Sequence, residues 1–395
     1  MTPEPSARDW LRLAQAFPRL GLLRDLLKQV PASQILQANH SQLSRWGVDA
    51  KSRARLAEPL PDAWLHWLEA DPQHQVLSFD DPLYPPLLAE LDHAPSLLWV
   101  KGNIDLLSQP QLAMVGSRNA TAGGLDNARH FASHLAAQGL TITSGLAEGV
   151  DGAAHLGALD NQGHTIAVTG TGLDRVYPAR HRDLAHRIAR HGVLISEFPP
   201  GTPPLRGNFP SRNRIIAGMS LGVLVVEASV RSGSLITARL ANEQGREVLA
   251  IPGSIHNPLA RGCHHLIRQG ARLVETAEDV LSELASMAAR LGQSLSERLH
   301  SEQPGEQSAP AKPSPARKQP EPPDLHPLSS HDDEKNTPGE RILEAMGYDP
   351  VDIDTLSQRL ELTIEALSPI LLTLELDGRV RQDERGRYTR CAKRS

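Results

Sequence analysis

Cysteine is almost absent. The 395-residue chain has two, Cys263 and Cys391. They are too few and too far apart to imply a disulfide framework or a thiolate zinc site, so both read as reduced thiols. Aromatic residues make up only 4%, so an aromatic beside a cationic cluster carries more information here than in an average chain. No apolar run approaches the ~18 residues that a membrane-spanning helix requires, and no membrane span is expected. The opening MTPEPSARDWLRLAQ lacks an apolar stretch behind a basic start, so no secretory signal is expected and the location reads as cytoplasmic. Neither a dinucleotide fingerprint nor a Gly-Lys-Ser/Thr phosphate loop occurs.

Lysine is missing from one long stretch. Residues 110–275 hold 16 Arg, no Lys and 11 Asp plus Glu, a local balance of +5 in a chain whose net charge is −5. The remainder therefore carries −10. The net charge alone argues against a polyanion ligand, but its distribution argues for one. Arginine is the residue suited to phosphate, because its planar fork meets two oxygens at once.

The same stretch shows the clearest pattern. Seven short apolar runs, QLAMVGS, LTITSG, HTIAVTG, GVLISEF, GVLVVEAS, EVLAIPG and ARLVET, alternate with helical segments. Near-continuous Val, Ile and Leu suits strands buried on both faces of a parallel sheet. The expected fold class is therefore α/β, a Rossmann-like doubly wound, mostly parallel sheet over residues 76–291. Ligands are then expected at the carboxyl ends of the strands. Residues 76–109 read as an ordered Pro-rich lead-in, with LLWVKG as an additional strand. Residues 1–75 read as a small all-α domain of the SAM or helix-hairpin-helix-like kind, with helices at WLRLAQAF, LLRDLLKQV, ASQILQA, HSQLSRWG and DAWLHWLEA. Residues 292–337, rich in Pro, Ser, Glu and Gln, read as a disordered linker. Residues 338–395 read as three helices and a β-hairpin, the order of a winged helix.

Several strand ends carry chemistry. Gly116, Ser117 and Arg118 open a strand-to-helix loop, which suits either anion binding at a helix N-terminus or a plain tight turn. Ser144 and Gly145 begin a second loop, followed by Asp151 and His155 four residues apart. That pair reads as an acid/base dyad or as a helix-capping carboxylate bonded to the histidine, and the absence of a nucleophile or metal set favours the second. Phe209, Arg212, Asn213 and Arg214 form a third site, where arginine on phosphate beside an aromatic platform suits a single strand. Gly233, Ser234 and Thr237 lie on a fourth loop, and Arg180 on a fifth.

Together these residues resemble the DNA-processing protein A family, also called Smf. The resemblance runs from about Tyr84 to Leu281 through VGSR, SGLAEGVDGAAH, GTGLDRVYP, SEFPPGTPP, FPSRNRIIAG, RSGSLITA and GCHHLIRQGARLV. It implies a domain that binds single-stranded DNA with little sequence preference. It also implies a homodimer through that domain and a role in natural transformation, loading RecA on incoming strands. By motif, Arg118 would clamp a backbone phosphate, Arg212 and Arg214 would line the same groove, and Phe209 would stack on a base. Gly233, Ser234 and Thr237 would add N–H and hydroxyl contacts. Some relatives have a DNA-contacting Lys where this chain has Ala179, and Arg180 stands in as the substitute. No cofactor and no catalytic residue are expected.

Two other readings compete. Phosphoribohydrolases of this general fold are similar in the phosphate loop, but their catalytic Glu falls where this chain has Leu240. A transcription regulator would read DNA through the helix from Thr363 to Leu376, yet that helix has no Lys or Arg. Ile364, Leu367, Leu371 and Leu374 look like core instead. Arginines 379, 381, 385, 387 and 390 leave the wing able to touch a phosphate backbone.

Overall fold

The computed structural model describes residues 5–301, 337–383 and 385–391. Two compact units emerge, Met1–Gly292 and Gln293–Ser395.

In the first unit, six short helices precede the sheet: α1 (Ala7–Ala16), α2 (Leu20–Leu27), α3 (Ala32–Gln37), α4 (His40–Arg45), α5 (Ala50–Ala57) and α6 (Asp62–Glu69). Five match the apolar segments read from the sequence. The additional one, α5, buries only Leu56, so it has almost no apolar stripe to be read. Its start is set by Asp49, whose carboxylate accepts from the N–H groups of Lys51 and Ser52. These helices share a core with the sheet. Trp10, Leu11, Leu13, Leu23 and Ile35 pack with Leu97 and Trp99.

The sheet strands are β1 (His74–Ser78), β2 (Leu97–Gly102), β3 (Gln111–Val115), β4 (Thr141–Ser144), β5 (Thr165–Val168), β6 (Val193–Ser196), β7 (Gly222–Val225), β8 (Glu247–Ala250) and β9 (Arg272–Leu273). Helix α7 (Pro86–Ala89) precedes β2. Between the later strands lie α8 (Ala122–Ala137), α9 (Val150–Asp160), α10 (Arg182–His191), α11 (Asn208–Met219), α12 (Ser234–Glu243) and α13 (Arg261–Arg268), and α14 (Ala277–Ser301) follows β9. The order is β1-β2-β6-β5-β4-β3-β7-β8-β9. The seven strands from β3 to β9 are mutually parallel; at one edge β2 is antiparallel to β6, and β1, antiparallel to β2, restores the common direction.

All positions of β3 to β7 are buried. Helices cover both faces of the sheet, which is why these runs lack a polar alternation. The chain winds outward from β3 through β6, then resumes on the other side of β3 with β7. The winding therefore reverses between β3 and β7, and every following loop opens on one edge of the sheet. Strand β1 was not expected as a strand. Its buried end, Leu77 and Ser78, is contiguous with the Pro-rich lead-in. Helix α14 runs on to Ser301, beyond the start of the stretch read as linker. The rest of that stretch, to residue 336, lies outside the described residues.

The second unit has α15 (Pro338–Met346), α16 (Ile353–Leu360), α17 (Ile364–Leu376), β10 (Val380–Gln382) and β11 (Tyr388–Arg390). This is a winged helix, with a further bridge from Val351 to Tyr388. Leu367, Leu371 and Leu374 are core, as the sequence suggested. Ile364 is not. It is 42% exposed, because it stands on the first turn of α17, where nothing packs over it. Three wing arginines are engaged by the protein itself: Arg379 pairs with Glu340 at 2.7 Å, Arg387 with Asp383 across the same hairpin at 2.9 Å, and Arg390 sits over Tyr348. Arg381 and Arg385 remain exposed.

Because residues 1–292 hold their own core, a fragment of that length should melt cooperatively at the midpoint of the full chain's main transition. Circular dichroism decides this, and a broad, non-cooperative melt would contradict it.

Candidate nucleic-acid interface

Three parallel strands, β3, β4 and β5, deliver loops to one point. There a cavity of about 180 Å³ is lined by Arg118, Gly145, Ala147, Glu148, Tyr177, Pro178, Phe209 and Arg212. Arg118 comes from the β3 loop and Gly145 from the β4 loop. Tyr177 comes from the β5 loop, while Phe209 and Arg212 stand on α11. The Arg118 guanidinium lies 5.9 Å from the centre of the Phe209 ring. Tyr177, 47% exposed, faces the same ring at 5.4 Å and an interplanar angle of 40°. Gly170 makes room for Phe209, since a Cβ there would lie 3.0 Å from the ring.

Arg212 forms the buried wall. It is 4% exposed. Its Nη1 donates to the carbonyl of Gly145 at 2.6 Å and to that of Val168. One guanidinium thus ties α11 to the carboxyl ends of β4 and β5. Burial brings its pKa down to about 10, opposed by the Asp151 carboxylate. Asp151, also buried, accepts from the N–H groups of Gly145 at 3.0 Å and Ala147 at 3.3 Å. Burial pushes its pKa upward, and Arg212 restrains that rise. The two groups share the β4 loop through separate backbone partners, and their opposite charges offset part of each other's burial cost, which for a lone buried charge is several kcal/mol.

The Asp151–His155 hydrogen bond expected from the sequence is not made. His155 Nδ1 instead lies 2.6 Å from Thr165 Oγ1, whose hydroxyl donates to the Ile142 carbonyl. The imidazole must therefore donate from Nδ1. Its Nε2 is buried without a partner among the described residues, so the ring is held neutral. Burial takes its pKa down to about 3.

At the winding reversal the outcome also differs from expectation. The N-terminus of α8 was a candidate anion seat, and the anion there is Glu227. Its carboxylate accepts from Thr121 N–H at 2.9 Å, Thr121 Oγ1 at 2.8 Å and Asn257 Nδ2 at 2.9 Å. A Cβ on Gly124 would fall 2.5 Å from that carboxylate. An internal carboxylate thus occupies the place where this kind of sheet usually seats a phosphate. Nothing in the sequence near Glu227 announces this, because its partners lie more than a hundred positions upstream and thirty downstream.

The remaining site residues divide. Arg180 reaches the rim, exposed, and pairs with the cavity residue Glu148 at 3.0 Å. Ser117 Oγ accepts from Asn119 N–H. Gly116 packs against Val150, and Gly149, at φ +74°, closes on the Ser117 carbonyl, where a Cβ would sit 2.2 Å away. Asn213 is half-buried on α11. Gly233, Ser234 and Thr237 lie at the start of α12, on the same sheet edge but outside this cavity. Gly233 is exposed, Ser234 and Thr237 are buried, and the Ser234 hydroxyl is 2.7 Å from that of Ser232.

Two expectations need correction. Ser144 faces inward, its hydroxyl donating to the Met114 carbonyl at 2.6 Å. Arg214 does not share the cavity with Arg212. It is buried and ion-paired with Glu197, because helical residues two apart point to opposite sides. Leu240, at the position of the hydrolase carboxylate, packs against the sheet core. Among the described residues, no His, Cys, Asp or Glu cluster could hold a metal ion, and no helix is long and apolar enough to cross a membrane.

These features define the class: a Rossmann-like, doubly wound α/β protein with a helical N-terminal region and a C-terminal winged helix. The family model described as DNA recombination-mediator protein A matches residues 75–285, and a DprA winged helix domain model matches residues 310–384. The chain belongs to the DNA recombination-mediator protein A family. It is 52% identical over 221 residues to Protein Smf of Escherichia coli, covering 56% of this chain and 59% of that one. It is 39% identical over 332 residues to Protein Smf of Synechocystis, covering 80% of each. The X-ray structure of DNA processing protein A from Streptococcus pneumoniae superposes with a TM-score of 0.62 at 40% identity, over 70% of this chain and 97% of that one.

The His155 geometry has a measurable consequence. A histidine whose native pKa is depressed leaves the unfolded chain binding more protons, so stability is complete above about pH 6.5 and is lost as pH falls toward 3. Each pH unit in that window removes up to about 1.4 kcal/mol. His155→Gln should flatten this dependence. Urea unfolding at about pH 7.5 and about pH 5 checks it, and identical pH dependence in both proteins would count against the buried neutral imidazole.

Proposed function

We propose that the chain binds single-stranded DNA without sequence preference and acts as a recombination mediator, loading RecA on the strand during DNA uptake and natural transformation. The observation that carries this reading is the arrangement at the cavity mouth: the Arg118 guanidinium over the Phe209 ring, with Tyr177 beside it and Arg212 behind. A guanidinium fork holds phosphate oxygens. The exposed Tyr177 ring and the half-exposed Phe209 ring beside it accept the face of any base, which gives affinity without sequence readout. The arginine-rich balance of residues 110–275 supplies the long-range attraction. RecA as partner, a homodimer through the sheet domain and a cytoplasmic location belong to the same proposal, and the family description as a recombination mediator accords with it.

The alternative of a nucleotide-cleaving enzyme is disfavoured by two placements. Leu240 is an apolar, half-buried residue packed against the core, and the Glu227 carboxylate is engaged by Thr121 and Asn257. Asp151 is likewise turned to backbone N–H groups. Any base released from a nucleoside monophosphate by the purified protein, and lost in Glu227→Gln, would reverse this judgement.

Fluorescence anisotropy with labelled oligothymidylate and oligodeoxycytidylate tests the binding reading. Arg118→Ala should weaken both equally and make the salt slope shallower by about 0.7, the value for one phosphate contact on a single strand. Phe209→Ala should cost about 1–3 kcal/mol, the range for one base stack. Arg212→Ala should weaken binding and also lower the melting temperature, because Arg212 ties two strand ends together. Unchanged affinity in both Arg118→Ala and Phe209→Ala would remove the cavity from the account.

A further inference from the structure

The loop at 170–181 is a ridge with a hollow on each side. Tyr177 and Pro178 face the cavity described above. Val176 and Ala179 face a second hollow of about 330 Å³ between this loop, α10 and the edge of β2. Its floor is apolar, made by Leu173, Val176, Ala189 and Leu194, and its rim carries Lys101, Arg175, Arg182 and His186. The volume falls at the lower end of the roughly 300–1,000 Å³ typical of small-molecule sites.

The rim is cationic and mostly uncompensated. The one acid lining the hollow, Asp174, is already engaged by Arg175 at 2.9 Å and by the Gly201 N–H. Lys101 and Arg182 make no ion pair among the described residues. Beyond the hollow the charge continues along α10. Arg182, His186 and Arg190 recur every four residues on its exposed face, so they form one stripe. Arg187, on a different face, is the α10 arginine that pairs with an acid, Asp160. An apolar floor under a rim that holds two unpaired cations, Lys101 and Arg182, suits a flat base with its phosphate. It does not suit a purely apolar ligand, which leaves the rim unused, or an inorganic anion, which leaves the floor unused.

We propose that this second hollow takes a further stretch of the strand held in the Arg118 cavity, with the polynucleotide crossing the Tyr177–Pro178 ridge between them. The proposal rests on the single-strand reading and extends it: the ligand is a polymer that spans two subsites, and Lys101 and Arg182 hold the phosphates of the outer one.

The test is the dependence of affinity on length. Oligothymidylates of about 4 and about 20 nucleotides span the roughly 4–16 nucleotides that single-strand binding modules cover. The unmodified protein should bind the longer one more tightly than the shorter. The double variant Lys101→Ala, Arg182→Ala should leave the short oligonucleotide within about twofold and weaken the long one about tenfold, with a salt slope shallower by about 1.4 for the long one only. If the double variant does not fold, Arg182→Gln, on the exposed face of α10, carries the same test with a slope change of about 0.7. An unaltered length dependence in the variants overturns the proposal. So does binding of polyglutamate that the variants lose while oligonucleotide binding stays intact, because that assigns the hollow to an acidic protein segment. If the unmodified protein binds neither length, the single-strand reading itself fails, which is a distinguishable result.

Discussion

Arg212 is the constraint on which the candidate site depends. A buried guanidinium is costly to desolvate, and this one is stabilised by main-chain carbonyls of two strands and by the field of Asp151. Removing it would free the β4 loop, the end of β5 and the first turns of α11 together. The cavity is therefore not a set of independent loops that happen to meet. One cation fixes their spacing, and Asp151 fixes the β4 loop through two N–H groups. The exposed ligand-facing groups, Arg118 and Tyr177, stand on this rigid base. A preorganised base of this kind reduces the ordering cost of gripping a flexible strand.

Much of the architecture was legible in the sequence, for one physical reason. Strands buried on both faces must be apolar throughout, and strand ends that face a ligand edge must be small or polar. All seven parallel strands were marked, but only β3 to β7 are buried at every position; β8 is half-buried at its start and β9, an exposed Arg-Leu pair at the sheet edge, was marked by its place after the α13 segment. Elements without a buried stripe were hidden. Helix α5 contributes one buried leucine, and β1 is a short strand, half-buried along most of its length. Ile364 fits the core spacing of α17 yet stands exposed, because spacing reports only which side of a helix a residue shares and not whether anything covers it.

The site was legible in its parts more than in its wiring. Phe209 was marked because aromatic residues are scarce in this chain and Arg118 by its place on a glycine-bounded strand-to-helix loop, and the two share a cavity. The division of labour between Arg212 and Arg214 follows from helical geometry once α11 is known to begin at Asn208. The roles of Glu197, Glu227 and Thr165 could not be read at all. Each is set by a partner on another element, a helix, a neighbouring strand or a distant loop, and local spacing carries no record of such a pairing. Ser144 shows the same limit from the other side, because a hydroxyl at a strand end can turn into the sheet as readily as toward a ligand.

The Glu227 arrangement has a further consequence. In sheets of this kind the seat at the winding reversal normally attracts the phosphates of a free nucleotide. Here the protein's own carboxylate fills it and repels any second anion. Small metabolites such as nucleoside triphosphates, abundant wherever strands are processed, therefore lose their customary foothold. What remains on this edge rewards a ligand that can touch several shallow points at once. On the proposed single-strand reading, a preference for polymer over monomer follows from a vacancy that has been closed, without any added recognition group.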